Sequence, residues 1–244
     1  MTITATATPT GTRAIPLVGV SLGYFMVLLD MTVLSVAEPD LASSLHASMS
    51  GLQWATTSYT VVFAALLLTA GAVADRFGAH RAFRSGIAAF GVLSLLCAAA
   101  PGLGALVGLR ALLGVAAAAC VPASLAMISR LYPDAPDRTR ALATWAAISG
   151  SAVAAGPVLG GLLVGAAGWR AVFVVNGPIA LVVLALTAGA AVRCPAGTRR
   201  INVRSQIAVV AALGLATDAL IAAGARGWAN TAVSGVAAGS MRAS

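Results

Sequence analysis

The chain has 244 residues, of which 59% are hydrophobic and 9% are charged, and its mean hydropathy is +0.94. Soluble domains carry about 25% charged residues, so this composition excludes a soluble globular domain. The net charge of +8 comes from arginines in short stretches between long apolar runs. This placement favours the lipid bilayer, and not a nucleic acid, as the partner of the chain.

Seven apolar runs follow one another along the sequence. They lie at residues 16–38, 53–74, 82–100, 104–128, 141–165, 171–192 and 206–224. A helix needs about 20 residues to cross about 30 Å of hydrocarbon, and each run is about that long. Because the bilayer interior offers no water to backbone groups, separate apolar runs must be helical there. We therefore predict an all-α, polytopic membrane protein.

The arginines are distributed unequally between the two sides of the membrane. If the N-terminus is inside, inside segments and span edges hold Arg13, Arg76, Arg81, Arg84, Arg130, Arg138, Arg140, Arg193, Arg199, Arg200 and Arg204. Outside segments hold only Arg170 and Arg226. Cytoplasmic loops of membrane proteins carry an excess of basic residues. We therefore predict a multi-pass protein of the cell membrane with a cytoplasmic N-terminus.

Two ionisable residues stand out inside the predicted spans. A carboxylate at the depth of Asp30 costs about 2.5–3.5 kcal/mol on insertion scales, so it normally faces a cavity or a partner. Asp30 is either a protonatable group on a substrate path or a structural carboxylate bonded to a hydroxyl such as that of Thr32. Arg110 either pairs with a carboxylate or another anionic group, or extends towards the outer interface. Asp218, in the seventh span, is open to a functional or a structural interpretation, and we expect Glu38 to be solvated.

The fifth span is rich in glycine. Gly156 and Gly160 are four residues apart and therefore share one helix face, where small residues let membrane helices approach closely. Pro157 removes a backbone hydrogen bond and is expected to bend the helix. The pattern fits either a moving part or simple tight packing.

The remaining polar and aromatic residues suggest no catalytic chemistry. We expect Cys97, Cys120 and Cys194 to be free thiols because no pair has the spacing of a metal site. The sequence offers no metal site, no cofactor site and no catalytic arrangement, so we expect that the protein is not an enzyme.

Two histidines and three tryptophans lie outside the predicted spans or near their ends, where solvation and anchoring at the interface are the usual roles of these residues. We expect His46 and His80 to be solvated in loops. Trp54, Trp169 and Trp228 lie near predicted interfaces, where tryptophan commonly anchors a helix.

Several motifs resemble those of the major facilitator superfamily, in particular its fourteen-helix drug:proton antiporter branch. Residues 29–33 and 37–39 resemble the motif of the first helix of that branch. The turn between the second and third spans matches the loop motif of the superfamily at Gly71, Asp75, Arg76, Gly78 and Arg81.

Further matches follow in the same order as in that branch. Gln53 and Trp54 with Ser58 and Tyr59 resemble the opening of its second helix, and Arg110 with Gly114 matches its fourth-helix motif. The antiporter motif of helix five is matched by Gly156, Pro157, Gly160 and Gly161. The start of helix six in that branch has a similar motif, which is matched here by Trp169, Arg170, Phe173 and residues 176–178.

The resemblance implies proton-driven export of amphipathic, drug-like small molecules by alternating access, with a proton gradient and no cofactor as the energy source. It implies that Asp30 and Arg110 couple proton movement to transport. It also implies that the loop at Asp75 locks one conformation and that the helix-five motif forms a bending or leak-preventing interface.

The resemblance also implies an organisation into segments. These are a cytoplasmic tail (1–15), a six-helix N-terminal bundle (16–192), a basic loop (193–205), a seventh transmembrane helix (206–228) and a short, truncated tail (229–244). Since such transporters have a second six-helix half, we expect an N-terminal part that needs a missing C-terminal half or self-association. The alternative is a non-transporting remnant or an interaction partner of a full-length transporter.

Overall fold

The computed structural model describes residues 10–189 together with Ala212 and Leu215, except for the side chains of residues 10–12 and 68. Residues 1–9 of the predicted cytoplasmic tail (1–15) lie outside the described residues, whereas residues 10–15 form the start of α1 and therefore do not belong to a separate tail. The basic loop, the C-terminal tail and all of the seventh predicted span except Ala212 and Leu215 also lie outside the described residues. The individual residues Asp218, Cys194 and Trp228 also lie outside them.

All regular structure in the described residues is helical. The helices are α1 (Thr10–Leu45), α2 (Met49–Phe77), α3 (Ala79–Ala98), α4 (Leu103–Leu131), α5 (Ala135–Ala167), α6 (Ala171–Val174) and α7 (Asn176–Leu186). Helices α1 to α5 overlap the first five predicted spans in order, and α6 and α7 together cover residues 171–186 of the sixth. The helices α1, α2, α4 and α5 extend beyond the predicted bounds at both ends. The predicted all-α class is thereby confirmed.

Four of these helices, α1, α3, α4 and α5, are long and apolar enough to cross a membrane. The fifth candidate is α2, whose parts Met49–Leu67 and Thr69–Phe77 meet at an angle of 57°. The segment Ala171–Leu186 is a shorter apolar helix in which Val175 separates α6 from α7. The chain is therefore built as a polytopic membrane protein.

Single residues set where the helices begin and turn. The side chain of Ser48 accepts a hydrogen bond from the backbone N–H of Gly51 (3.2 Å) and so caps the start of α2. Gly78 joins α2 to α3, and its φ of 93° is a conformation that other residues rarely adopt.

Helix α1 contains Pro16 and Pro39 and continues through both. A proline removes one backbone donor but does not by itself end a helix that tertiary packing supports. Glu38 therefore lies two turns before the end of α1, and not at its end, and it is partly buried.

The most extensive helix contacts join α2 to α4, α1 to α5, and α3 to α4. Between α1 and α5, the rings of Tyr24 and Trp145 stack with centroids 4.9 Å apart. Between α3 and α4, a Cβ at Gly86 would lie 3.0 Å from the carbonyl oxygen of Ala116, so the two backbones approach closely. These contacts place the middle of α1 and α4 in the interior of the bundle.

The end of the bundle near Thr187 corrects one sequence prediction. His80 is partly buried, and its Nε2 lies 3.0 Å from the carbonyl oxygen of Thr187. Arg84 donates to the carbonyl oxygen of Leu184 and to the Thr187 hydroxyl. The last carbonyl groups of a helix lack partners within it, and cations are favourable at that end. His80 is therefore bound to the end of α7 and is not simply solvated, whereas His46 is exposed.

The opposite end of the bundle corrects a second prediction. Trp169 is 1% exposed, so it is a core residue and not an interface anchor. Its backbone N–H donates to Asp40 Oδ2 (2.7 Å), and its ring meets that of Phe173 edge-on. The turn before it uses Gly168 at a φ of 73°, which directs the chain back onto the bundle.

Helix α5 is much less covered than α1. In the most apolar 18-residue stretch of α5, 22% is buried in the bundle, whereas 61% of the corresponding stretch of α1 is buried. The uncovered side chains of α5 include Val153, Val158 and Leu162. One face of α5 is therefore available to lipid or to another part of a protein.

The arginine distribution predicts that the α4–α5 connection is cytoplasmic and the α1–α2 connection external. In a background lacking Cys97, Cys120 and Cys194, we expect Ala135→Cys to resist an impermeant thiol reagent added to intact cells. We expect the matched Ser44→Cys variant to react, since both positions are exposed. Labelling of Ala135→Cys in intact cells, with Ser44→Cys unlabelled, would reverse the topology.

Candidate functional site

A buried ion pair lies in the middle of the bundle. Arg110 of α4 donates through a terminal guanidinium nitrogen to Asp30 Oδ2 of α1. Each side chain is only 1% exposed. Of the two positions considered for Arg110, the structure has the paired one and not the one that reaches the outer interface. The fold thus brings together the two ionisable residues that the sequence places at membrane depth, although they are 80 residues apart in the chain.

Three further groups hold the guanidinium of Arg110. Its Nε donates to the backbone carbonyl oxygen of Ala55 (3.0 Å). Its central carbon lies 4.6 Å from the centroid of the Tyr59 ring and 6.0 Å from that of Phe173. A cation over an aromatic face is attracted by the negative face of the ring, and the attraction is stronger when both are desolvated. Arg110 therefore has partners in α2 and α6 besides Asp30.

The ring of Tyr59 is itself held on two sides. Its hydroxyl donates to the carbonyl oxygen of Val27 in α1 (3.3 Å), and its ring meets that of Phe90 in α3 at 85°. Tyr59 has no exposed surface. It therefore links α2 to both neighbouring helices and presents its face to Arg110.

An asparagine completes the surroundings of Asp30. The side-chain nitrogen of Asn176, at the start of α7, donates to Asp30 Oδ1 (3.0 Å) and to the hydroxyl oxygen of Ser94 in α3 (3.1 Å). Asn176 and Ser94 are fully buried. We call Asp30, Arg110, Asn176, Ser94 and Tyr59 the polar cluster, and it connects α1, α2, α3, α4 and α7.

Thr32 does not belong to this cluster. Its hydroxyl donates to the carbonyl oxygens of Leu28 and Leu29 in its own helix and approaches that of Ala152 in α5 (3.4 Å). The structural alternative considered for Asp30, a bond to Thr32, is therefore not the one adopted.

The helix-five motif presents two different faces. A Cβ at Gly156 would collide with the side chain of Thr32, and one at Gly160 would lie 3.1 Å from Cβ of Val36. Both glycines thus pack against α1, as their spacing predicts. Gly161 points elsewhere, since no described atom outside its own helical turn lies within 4 Å of a Cβ placed there. Pro157 is exposed, and α5 continues through it to Ala167.

The loop motif lies at the end of α2, far from the polar cluster. Asp75 is 16 residues beyond Tyr59 on the same helix, which is more than four turns. Gly71 and Asp75 line a pocket of about 410 Å³ between α2 and α4, together with Pro122. Arg76 and Arg81 are exposed on either side of the turn at Gly78. The structure therefore separates the predicted gating residues from the predicted proton-coupling pair.

No group of three or more histidine, cysteine, aspartate or glutamate side chains in the described residues is placed to hold a metal ion. Cys97 and Cys120 are free, buried thiols.

A family model for the Major Facilitator Superfamily matches residues 20–241, most of the chain. The chain belongs to the major facilitator superfamily. A solved bacterial homologue of the human lysosomal transporter Spinster, in an inward-facing and unoccupied conformation, has a similar fold. Its TM-score is 0.63 at 21% identity, over 78% of this chain and 45% of that one.

Curated relatives are similar over most of this chain. The chain is 38% identical to the methylenomycin A resistance protein of Bacillus subtilis, over 87% of its own length and 46% of the relative's. It is 35% identical to the multidrug resistance protein Stp of Mycobacterium tuberculosis, over 89% of this chain and 41% of that protein. It is 34% identical to the tetracenomycin C resistance and export protein of Streptomyces glaucescens, over 93% of this chain and 42% of that protein. The chain thus spans less than half the length of each relative.

Two members of the polar cluster, Asp30 and Arg110, were recognisable as candidates from the sequence, whereas Ser94 was missed. Tyr59 and Asn176 were noticed only as parts of motifs. The available signal was weak, because uncharged polar side chains in membrane helices often bond only to their own backbone, as Ser21 does here.

The ion pair predicts a stability test. Replacing Arg110 by glutamine leaves a buried carboxylate without its partner, so we expect a loss of about 3–5 kcal/mol in the free energy of unfolding. The Asp30→Asn/Arg110→Gln double variant is expected to recover most of this loss. Unfolding of the purified chain in detergent is measurable by exposure of the buried thiols of Cys97 and Cys120.

Arg140→Gln is the matched control, because the Arg140–Asp137 pair is exposed and its atoms are 3.7 Å apart. We expect a change below about 0.5 kcal/mol for it. Equal losses in the Arg110 and Arg140 variants would contradict the structural importance of the buried pair.

The two faces of α5 predict a second comparison. We expect Gly156→Ala to destabilise the bundle by about 1–3 kcal/mol, because the added methyl group meets Thr32. Gly161→Ala adds the same methyl group to an open face and is expected to change stability by less than about 0.5 kcal/mol. The same unfolding assay compares them, and an equal loss in both variants would refute the assignment of faces.

Proposed function

We propose that the chain forms the N-terminal bundle of a proton-coupled exporter of small, drug-like molecules in the cell membrane. The observation that carries the proposal is the Asp30–Arg110 pair, whose two side chains are the charged ones among the buried residues that the structure describes. Ionisable residues at such positions in membrane proteins usually mark ion or substrate pathways.

The geometry suggests how a proton would change the bundle. As a carboxylate, Asp30 accepts from Arg110 on one oxygen and from Asn176 on the other. Protonation removes the charge and weakens the attraction between α1 and α4. Arg110 retains the Ala55 carbonyl and the Tyr59 ring as partners, so it stays in place while Asp30 is released. A difference of this kind between two protonation states can bias two conformations.

Export is the direction that the relatives support. The three described above are named for antibiotic or multidrug resistance, and one of them is named for export. We extend these properties to this chain as a proposal, with amphipathic small molecules as the substrate class and no chemical catalysis.

Transport would require more protein than the bundle described here. The relatives are more than twice as long as their matched parts, and transporters of this kind bind substrate between two repeated halves. The uncovered face of α5, with Val153, Val158 and Leu162, is suited to pack against a second half. We therefore propose that the gating loop at Asp75 and the helix-five motif act at contacts between halves.

Proteoliposomes with an imposed pH gradient test this function. We expect verified monomers of the chain alone to give no gradient-driven efflux of methylenomycin A or tetracenomycin C. A fusion to the second half of the Bacillus subtilis relative is expected to restore efflux of at least one compound. Asp30→Asn in the fusion is expected to abolish the dependence on the gradient.

The outcomes separate the parts of the proposal. Gradient-driven efflux by monomers of the chain alone would contradict the need for a second half. Normal gradient-driven efflux by the Asp30→Asn fusion would contradict the role of Asp30 in proton coupling. Arg140→Gln, which alters an exposed pair, serves as the control that should retain efflux.

A further inference from the structure

The amide group of Asn176 has one satisfied and one unsatisfied side. Its nitrogen donates to Asp30 Oδ1 and to Ser94, whereas its oxygen is buried and has no hydrogen-bond partner among the described residues. A buried polar atom without a partner costs free energy, so it is uncommon in a well-packed interior. Asn176 therefore carries an unused acceptor next to a carboxylate that is proposed to bind a proton.

The surroundings of Asp30 determine which of its oxygens can take a proton. Oδ2 faces the guanidinium of Arg110, which has only donors, so a proton on Oδ2 would face another N–H group. Oδ1 faces Asn176. A proton on Oδ1 that points towards Asn176 needs an acceptor there, whereas the amide nitrogen that now faces Oδ1 is a donor.

Other titratable groups near Asp30 do not provide that acceptor. The titratable groups on neighbouring helices near Asp30 in the described part of the chain include Arg110 on α4, Tyr59 on α2 and Cys97 on α3. Tyr59 donates its hydroxyl hydrogen to Val27 and faces Arg110. Residues 141–167 of α5 and residues 171–186 contain no ionisable side chain.

We propose that Asn176 is a positioning residue that gives Asp30 hydrogen bonds in both its charged and its protonated form, by rotating its amide group through half a turn. In the charged form, the Asn176 nitrogen donates to Asp30 Oδ1 and to Ser94. In the protonated form, the amide oxygen occupies that place and accepts from the Asp30 O–H. The hydroxyl of Ser94 reverses its role and donates to the same oxygen, which a hydroxyl can do.

The hydrogen bonds balance between the two forms. Asn176 makes two bonds in each, and one side of its amide stays without a partner in each. The only proton added is the one that Asp30 binds, and no other group in the polar cluster changes its charge. The rotation is about the bond from Cβ to the amide carbon, a torsion with a broad, nearly two-fold profile. The inference rests on the proposed function, because it takes Asp30 as the proton-binding group.

Infrared difference spectroscopy of the full chain in lipid nanodiscs, with asparagine side chains labelled with ¹³C, tests the inference. On acidification we expect a carboxyl C=O band that is missing in Asp30→Asn. The labelled amide C=O band is expected to shift at the same pH, and this shift is expected to be absent in Asp30→Asn and Asn176→Leu. In Asn176→Leu, the Asp30 band is expected at higher wavenumber because its hydrogen bond is lost.

Ser94→Ala provides a second variant if Asn176→Leu does not fold, and we expect it to produce a smaller shift of the amide band. Ser149→Ala is the matched control, since that buried hydroxyl bonds only within its own helix, and its spectrum should match the parent chain. An Asp30 band with no accompanying change in the labelled amide would overturn the role of Asn176 and leave Asp30 as the proton site. The absence of any Asp30 band across the accessible pH range would overturn both proposals.

Discussion

The carboxylate of Asp30 and the guanidinium of Arg110 must be stabilised inside the bundle, because bulk water does not reach either of them. Removing two such charges from water costs several kcal/mol per ion, and their attraction offsets this only when additional hydrogen bonds are made. Here Asn176 supplies the second bond to the carboxylate, and Ala55 supplies a carbonyl oxygen to the guanidinium. Since these groups come from α1, α2, α4 and α7, satisfying one ion pair fixes the relative positions of four helices.

The same requirement connects the polar cluster to the glycine face of α5. Asp30 and Thr32 are two residues apart on α1, so their side chains point to nearly opposite sides of the helix. Asp30 contacts α4 and α7, whereas Thr32 lies against Gly156 in α5. Helix α1 is thus held between a charged contact and a close backbone contact. Any displacement that follows from a change at Asp30 must alter its packing against α5, because the space at Gly156 admits no side chain.

Much of the fold could be predicted from the sequence, since the bilayer imposes a length and a hydropathy on each span. The cost of burying a charge likewise identified Asp30 and Arg110 individually. Their pairing could not be predicted by position alone, because Arg110 lay close enough to the outer end of its span to reach water. His80 and Trp169 were predicted wrongly for a related reason: a short loop sequence does not show that its side chains or backbone turn back onto the end of another helix. Both errors concern contacts between residues that are more than 100 positions apart in the sequence.

Exposure of apolar side chains on α5 does not by itself indicate a protein partner, since leucine and valine are equally compatible with lipid. The glycines on that helix give a more specific argument. Gly161 and Gly165 have no described neighbour within 4 Å of a Cβ position, so they contribute no close packing to this bundle. Each glycine in a helix interior costs about 1 kcal/mol relative to alanine, a loss that close approach of another helix can offset. The face at Gly161 is therefore the part of α5 that best fits a second helix, and it is distinct from the face at Gly156 that already meets α1. In an assembly of two halves, α5 would then hold α1, the helix that carries Asp30, on one side and a helix of the other half on the opposite side.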